Sequence, residues 1–268
     1  MRQKMKKAIL NGRLINEEDA VLPITKRAVQ YSFSIYEALR ITDSHIVHFS
    51  DHYERLKESA ELIKLDLHYS ESELESALEL LLKEEKIKDA TARILVVGGD
   101  VDKYFITYTN LLSYPDSYYT DGVKAEIYFG ERFLPTAKTS NLLMSYIALE
   151  EAKSKGAFES LLVNRNGVIT EGTRSNFYGI IGNKVYTAPD ELVLGGVTRI
   201  SVIKAIETLG LKVVYEPIRY NELTRYDAVF ISSTSMAALP LSAVGEERMN
   251  RKAWNTVLEI RDLVRKWE

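Results

Sequence analysis

Apolar positions along this chain change their period several times, and each change marks an element. Ile35 to Ile41 (Ile-Tyr-Glu-Ala-Leu-Arg-Ile) is apolar-rich with loose alternation, the pattern of a largely buried strand. Asp43-Ser44-His45 turns the chain, and Ile46-Val47-His48-Phe49 reads as strand again. The period then lengthens. Leu56, Ala60 and Ile63 share one helical face, with Ser50-Asp51 placed to cap that helix. Leu74, Ala77, Leu78, Leu81 and Leu82 form a second helical stripe from about Glu71 to Glu85. Two more strands, Arg93 to Val97 and Tyr104 to Thr109, are parted by Gly98-Gly99-Asp100. Near the start, an Asn11-Gly12 turn joins two short strands.

Ser113 to Gly122 (Ser-Tyr-Pro-Asp-Ser-Tyr-Tyr-Thr-Asp-Gly) has no aliphatic residue and reads as a linker between domains. The expected division is a domain over 1–115, a linker over 116–122 and a second domain over 123–268. Past the linker come a strand at Val123 to Phe129, a helix from about Asn141 to Lys155, and a hairpin turning at Asn166-Gly167. In the favoured two-residue turn both of those residues would take positive φ. A strand near Phe177 to Ile181 follows. A further helix opens at Thr198 and ends near Gly210, and a buried strand, Ala228 to Ile231, enters the turn Ser232-Ser233-Thr234-Ser235. Strands and helices in mixed order, without regular βαβ alternation, predict α+β layers and not a doubly wound sheet.

Bulk properties narrow the class. The 268 residues suffice for two packed domains, and 46% apolar with 27% charged residues describes an ordinary soluble protein. A net charge of -3 supplies no basic field for nucleic acid. With no cysteine, disulfides, thiol nucleophiles and cysteine-bound zinc are excluded. The start, Met1 to Lys7, is basic like a secretory n-region, but the apolar run behind it, Ala8-Ile9-Leu10, is too short for a signal peptide. No stretch approaches the roughly 20 apolar residues that cross a bilayer. A cytoplasmic location is the expectation.

The strand leaving the Asn166-Gly167 turn carries an acid, Glu171, near its far end, thirty-three positions after Lys138. An amine and a carboxylate delivered from rigid elements are the two groups that pyridoxal phosphate requires. The amine bonds to the aldehyde, and the acid pairs with the protonated ring nitrogen. Gly195-Gly196-Val197-Thr198, at a helix start, offers backbone N–H groups and the positive end of a helix dipole to a phosphate, and the Thr198 hydroxyl adds a donor. The four histidines (His45, His48, His52 and His68) lack a zinc-like spacing and read as structural.

Three stretches, Lys138-Thr-Ser-Asn-Leu-Leu143, Ile169-Thr-Glu-Gly-Thr-Arg-Ser-Asn176 and Leu194-Gly-Gly-Val-Thr-Arg199, give the chain its likeness. Together they resemble the class IV pyridoxal-phosphate aminotransferases, a family of branched-chain aminotransferases, D-amino-acid aminotransferases and aminodeoxychorismate lyases. The resemblance runs from Asn11-Gly12 past the Ser233-Thr234-Ser235 turn. It implies the type IV fold, with a smaller N-terminal α/β sandwich and a larger C-terminal α+β domain resembling a β-barrel. It also implies a homodimer, pyridoxal 5'-phosphate as cofactor, and an amino acid and a 2-oxo acid as substrates.

Residue by residue, the resemblance makes Lys138 the Schiff-base lysine and the general acid/base, and Glu171 the partner of the ring nitrogen. Arg55, in His52-Tyr-Glu-Arg-Leu-Lys-Glu-Ser-Ala60, matches the arginine that grips the phosphate, joined by Val197, Thr198, Thr234 and Ser235. Leu194 should pack on a face of the ring. Tyr36, Arg40 and Arg93 match positions that meet substrate. An arginine turned inward from a strand would call for an anionic ligand or an acidic neighbour.

D-amino-acid aminotransferases carry an arginine and a histidine on the loop matching Val97-Gly98-Gly99-Asp100, and this chain has neither there. Branched-chain enzymes have arginines matching Arg40 and Arg93, which favours a branched-chain-like L-amino acid. Other departures are Lys26-Arg27-Ala28 where the family has Asp-Arg-Gly, Ser32-Phe33-Ser34 for Gly-x-Gly, and Asn141-Leu142-Leu143 where branched-chain enzymes place a tyrosine. Transamination is the leading expectation. A lyase of the aminodeoxychorismate type, a D-amino-acid aminotransferase and an inactive homologue acting as a binding protein are the alternatives.

Overall fold

The computed structural model describes residues 5–268, so Met1 to Lys4 of the basic start lie outside the described residues. The chain divides into two compact units, Met1–Leu112 with Ala137–Asn141, and Ser113–Thr136 with Leu142–Glu268. The first contains β1 (Lys7–Leu10), β2 (Arg13–Asn16), α1 (Arg27–Gln30), β3 (Ser34–Thr42), β4 (His45–Ile46), α2 (Phe49–Ile63), α3 (Glu71–Glu85), β5 (Ala90–Val97) and β6 (Lys103–Asn110). Its sheet runs β2-β1-β6-β5-β3-β4, with α2 and α3 packed on one face.

Alternation decides that packing. Ile35, Leu39 and Ile41 of β3, Ala92, Ile94 and Val96 of β5 and Ile106 of β6 point into the helical layer, against Leu56, Leu74, Leu78 and Leu81. Tyr36, Ala38 and Arg40 take the opposite face. There Ala38 lies across from Arg93, and Arg40 across from Thr91.

Several boundaries differ from the pattern for physical reasons. Phe49 opens α2 instead of ending a strand, and the residue before it, His48, takes a left-handed conformation with no side-chain cap. Ser50 does not cap; its hydroxyl reaches the Glu71 carboxylate. For α3, Ser70 Oγ accepts the Glu73 N–H at 3.3 Å.

The second unit contains α4 (Asp116–Thr120), β7 (Val123–Phe129), α5 (Leu143–Ser154), β8 (Glu159–Val163), β9 (Val168–Gly172), β10 (Asn176–Ile181), β11 (Lys184–Thr187) and α6 (Val197–Thr208). After these come β12 (Lys212–Tyr215), β13 (Ile218–Arg219), β14 (Ala228–Ser233), β15 (Ala237–Val244), β16 (Glu247–Arg248) and α7 (Trp254–Lys266). Pairings β10–β14, β14–β15, β15–β7, β7–β8, β8–β9 and β9–β10 close a six-stranded barrel. One phase of each strand fills its interior, with Ala125, Leu161, Ile169, Phe177, Ile231 and Leu239 among the residues inside. On the outside, Tyr178, Ile180 and Phe230 pack beneath Val202 and Ile206 of α6 and Val257 and Ile260 of α7. A closed barrel in one unit and a one-sided sheet in the other is the type IV α+β architecture.

The polar stretch read as a linker contains α4, held by buried Tyr119, whose hydroxyl donates to the Met236 carbonyl at 3.2 Å. An amphipathic tyrosine can anchor a segment that has no aliphatics. The β8–β9 hairpin forms as expected, but through a four-residue loop. Asn164 Oδ1 accepts the N–H groups of Asn166 (3.0 Å) and Val168 (3.3 Å), and of the two central residues only Gly167 takes positive φ, at 74°.

Candidate active site

In the first unit the groups gather around the segment Ala137–Asn141. Thr139 bridges to Ile35, Ser140 N–H donates to the Ser34 carbonyl (3.0 Å), and Tyr36 N–H donates to the Lys138 carbonyl (3.1 Å). The segment thus extends the edge of β3. This places Lys138 Nζ 4.8 Å from the centre of the Tyr36 ring. Arg93 Cζ lies 4.0 Å from the same ring, a cation–π contact, and Arg40 shares that sheet face. Two cations, Lys138 and Arg93, therefore meet one tyrosine, and Arg40 stands further along the same strand face.

Arg55 lies in the layer between α2 and the sheet. Glu37, only 1% exposed, takes Nε of Arg55 at 2.8 Å and Nη2 at 2.5 Å, and it accepts a 2.7 Å hydrogen bond from His52 Nδ1. Burial alone would push the Glu37 carboxyl up. The Arg55 charge and the hydrogen bonds from His52 and Arg55 outweigh burial and hold it down at about 2. His52 moves below its ordinary value because burial disfavours its cation, with the Glu37 bond opposing and the charges of Arg55 and Lys138 assisting.

Sequence reasoning missed Glu37 and read His52 as structural without naming its partner. The signal was present: Glu37 sits in phase with Ile35, Leu39 and Ile41, so the alternation buries it. A buried carboxylate demands a cation.

In the second unit the groups gather at one end of the barrel. Glu171 of β9 is buried and lies opposite Asn176 of β10, which in turn lies opposite Ser232 of β14. Glu171 Oε1 accepts from Arg132 Nη1 at 3.1 Å, and Oε2 accepts the Leu194 N–H at 3.3 Å. Arg132, from the loop after β7, also donates to the Pro135 carbonyl at 2.9 Å. It went unnoticed because a lone arginine in a loop carries no pattern. Asn176 Nδ2 donates to the Leu194 carbonyl (3.0 Å), so Leu194 is fastened to both strands through its main chain.

Next in the chain, Gly196 allows close approach: a Cβ there would meet Asn176 Oδ1 at 2.5 Å. Gly195 faces open space. Val197 and Thr198 then open α6 with no side-chain cap, so their N–H groups point out of the helix start. Thr198 Oγ1 lies 3.5 Å from Thr234 Oγ1, and Ser235 Oγ lies 3.2 Å from Ser233 Oγ. Arg265 pins this turn through the carbonyls of Thr234 (3.3 Å) and Ser235 (2.7 Å).

Arg199 is structural. It bonds Thr187, the Ala188 carbonyl and Asp190, which locks the first turn of α6. Behind Glu171, the fully buried Glu159 accepts from the N–H groups of Ser160 (2.9 Å) and Thr173 (3.2 Å). Both hydroxyls of the following turn, Thr173 and Ser175, also donate to it (2.5 and 3.0 Å). Among the described residues no three acidic or histidine side chains form a metal-binding group, and no helix is long and apolar enough to cross a membrane.

The first unit thus holds a clamped lysine, and the second a buried carboxylate at a barrel end and an uncapped helix start beside a hydroxyl-bearing turn. Residues 34–244 match the amino-transferase class IV family. The chain is 31% identical over 250 residues to a D-alanine aminotransferase of Bacillus licheniformis, covering 89% of this chain and 88% of that one. Its fold superposes on a branched-chain aminotransferase of Thermoproteus uzoniensis with norvaline at a TM-score of 0.89 and 25% identity, over 98% of this chain and 94% of the other. The PLP form of a branched-chain amino acid aminotransferase from Thermobaculum terrenum gives a TM-score of 0.85 at 23% identity, over 98% and 93%.

The chain belongs to the class IV aminotransferase family, a family of pyridoxal-phosphate enzymes. It is an aminotransferase of that class.

Proposed function

We propose that this chain is a pyridoxal-phosphate aminotransferase that moves an amino group between a branched-chain-like L-amino acid and a 2-oxo acid. The observation that carries the proposal is the donor set. The amine of Lys138, the buried carboxylate of Glu171, and the uncapped start of α6 with open space before Gly195 match the aldehyde, ring nitrogen and phosphate of that cofactor. When bound, pyridoxal phosphate supplies an electron sink conjugated to its carbonyl carbon, and a carrier for the amino group.

The chain's own residues would divide the work. Lys138 Nζ would hold the cofactor at rest and then, released by the incoming amine, carry the proton from the substrate Cα. Glu171 would keep a proton at the ring nitrogen. The N–H groups of Val197 and Thr198, the hydroxyls of Thr198, Thr234 and Ser235, and Arg55 would hold the phosphate. Leu194 would lie against the ring.

For the substrate, Arg40 and Arg93 beside Tyr36 offer two guanidinium groups to a carboxylate. The loop after β5 contributes no cation: its Asp100 accepts the N–H groups of Arg27 (3.1 Å) and Ala28 (3.0 Å). This supports L-amino acids. The likeness to D-alanine aminotransferases supports the second reading, a D-amino-acid donor. An aminodeoxychorismate-type lyase would use the same cofactor groups.

A homodimer is part of the proposal, because α5 exposes Leu143, Tyr146 and Ile147 on one face, at 69, 65 and 47%. The cytoplasm, rich in amino acids and 2-oxo acids, is the proposed compartment.

An absorbance spectrum of the purified protein with pyridoxal phosphate, before and after L- or D-amino acids, tests the reading. A visible band that is bleached by branched-chain L-amino acids is the expected result. Bleaching by D-alanine alone would transfer the proposal to the second reading, and no band at all would end it.

A further inference from the structure

Ser59 lies on α2 one turn after Arg55 and is completely buried. Its hydroxyl donates to the Arg55 carbonyl at 2.8 Å, a common use of serine within a helix. Less common is its second bond. The same oxygen accepts the backbone N–H of Lys138 at 3.0 Å, from a residue seventy-nine positions further on. On the other side, the Lys138 carbonyl accepts the Tyr36 N–H at 3.1 Å. The main chain of the lysine is therefore clamped between α2 and β3, and the helical half of the clamp is one hydroxyl.

That same turn of α2 bears Arg55, whose fork is oriented by the carboxylate of Glu37 through Nε and Nη2. One helical turn rises about 5.4 Å. Over that length α2 fixes both a cation for a phosphate and the backbone of the lysine that meets a carbonyl carbon. The cofactor's ring is rigid, so its two ends cannot adjust independently if one anchor drifts.

We infer that Ser59 is a positioning residue: it acts through the Lys138 main chain to register the lysine against Arg55 on the same helix. The inference rests on the pyridoxal-phosphate reading above. Alanine at 59 would take away the acceptor that meets the Lys138 N–H, at a residue with no exposed surface of its own.

The test compares wild type, Ser59→Ala and Ser59→Cys with two ligands. Pyridoxal phosphate can bond to Lys138, with water leaving as the amine nitrogen joins the carbonyl carbon. Pyridoxamine phosphate has no carbonyl and reads only the non-covalent grip. Rapid-mixing absorbance gives the rate of covalent capture, and borohydride reduction with mass spectrometry locates it on Lys138.

The expected result is a roughly tenfold slower capture in Ser59→Ala, with pyridoxamine phosphate affinity within about twofold of wild type. Ser59→Cys, with its weaker donor and acceptor, should fall between, and it decides the matter if the alanine variant fails to fold. Capture at the wild-type rate in a folded variant overturns the inference. So does an equal loss for both ligands, which would make Ser59 a support for α2 alone. A wild-type protein that takes up neither ligand overturns the cofactor reading itself, and the inference with it.

Discussion

Glu37 in the first unit and Glu159 in the second are both almost wholly buried, and they are held in opposite ways. Glu37 is met by the Arg55 guanidinium charge and a hydrogen bond from the His52 imidazole, both from α2, eighteen and fifteen positions along the chain. Glu159 is met mainly by neutral dipoles, the N–H and hydroxyl groups of the turn that follows Glu171, with Arg174 Nε at 3.7 Å as its charged neighbour. The charged arrangement stabilises only while both partners stay ionised and in place, and removing one strands the other in a low-dielectric layer. The dipolar arrangement shapes a local loop and asks less of distant residues. Orienting a cation suits the first, and holding a strand-end turn rigid suits the second.

Breaking the charged side should have the larger effect. Glu37→Ala leaves Arg55 buried without its carboxylate. It should destabilise the protein by about 3–5 kcal/mol in denaturant melts, a loss that a surface substitution of the same kind would not approach. Next comes the carboxylate that the second unit places at the barrel end. Glu171→Gln should lower kcat by about 10²- to 10³-fold while moving the melting midpoint little, as expected for a group that stabilises developing charge. If the fall in kcat merely tracks the loss of folded protein, Glu171 belongs with Glu159 as a structural carboxylate. On the dipolar side, Glu159→Gln turns one acceptor into a donor facing the Thr173 and Ser175 donors. A cost of about 1–3 kcal/mol is expected, with exchange-broadened amide signals in the 172–176 turn.

Acid gives the mildest version of the same contrast. The Glu37 carboxyl is held at about 2 against an ordinary 4.5, so its contribution is complete above 4.5 and is lost as the pH falls toward about 2. His52 is also lowered, so its neutral form contributes above 6.5 and that share is lost as the pH falls through its depressed value. Both act in one direction: acid loosens the first unit. Trp254 and Trp267 both lie in the second unit, which makes tryptophan fluorescence blind to that loosening. Protection factors in α2 and β3, corrected for the intrinsic slowing of amide exchange in acid, should fall as pH drops from 6 toward 3 before tryptophan emission shifts. Simultaneous changes would mean that the two units lose structure as one.

Legibility in the sequence followed how local each constraint is. β7 and the Asn11-Gly12 hairpin were readable to the residue, because period-2 alternation and a positive-φ pair are local facts. The Lys138, Glu171 and Leu194–Arg199 stretches stood out because several special residues fall together. The Glu37–Arg55 pair was half legible. Its strand phase was visible, but pairing it with a helix residue needed the crossing of α2 over β3. The cage around Glu159 and the bond from Arg132 to Glu171 were not legible, since each joins residues whose separations follow no period. The bond from Ser59 to Lys138 was hidden for the same reason.

The barrel closes through a single residue pair, Glu171 opposite Asn176. Like a survey traverse that returns to its first marker, the ring collects every error of its six strands at that closing point. An extra residue within β7, β8, β14 or β15 would reappear as a misfit beside the carboxylate, even though it was inserted far away along the chain. Insertions should therefore be tolerated at Gly182, Gly210 or Gly245, loop positions where a side chain would meet nothing, and rejected within the ring strands. Over evolutionary time that geometry makes the Glu171 end of the barrel the auditor of its own scaffold.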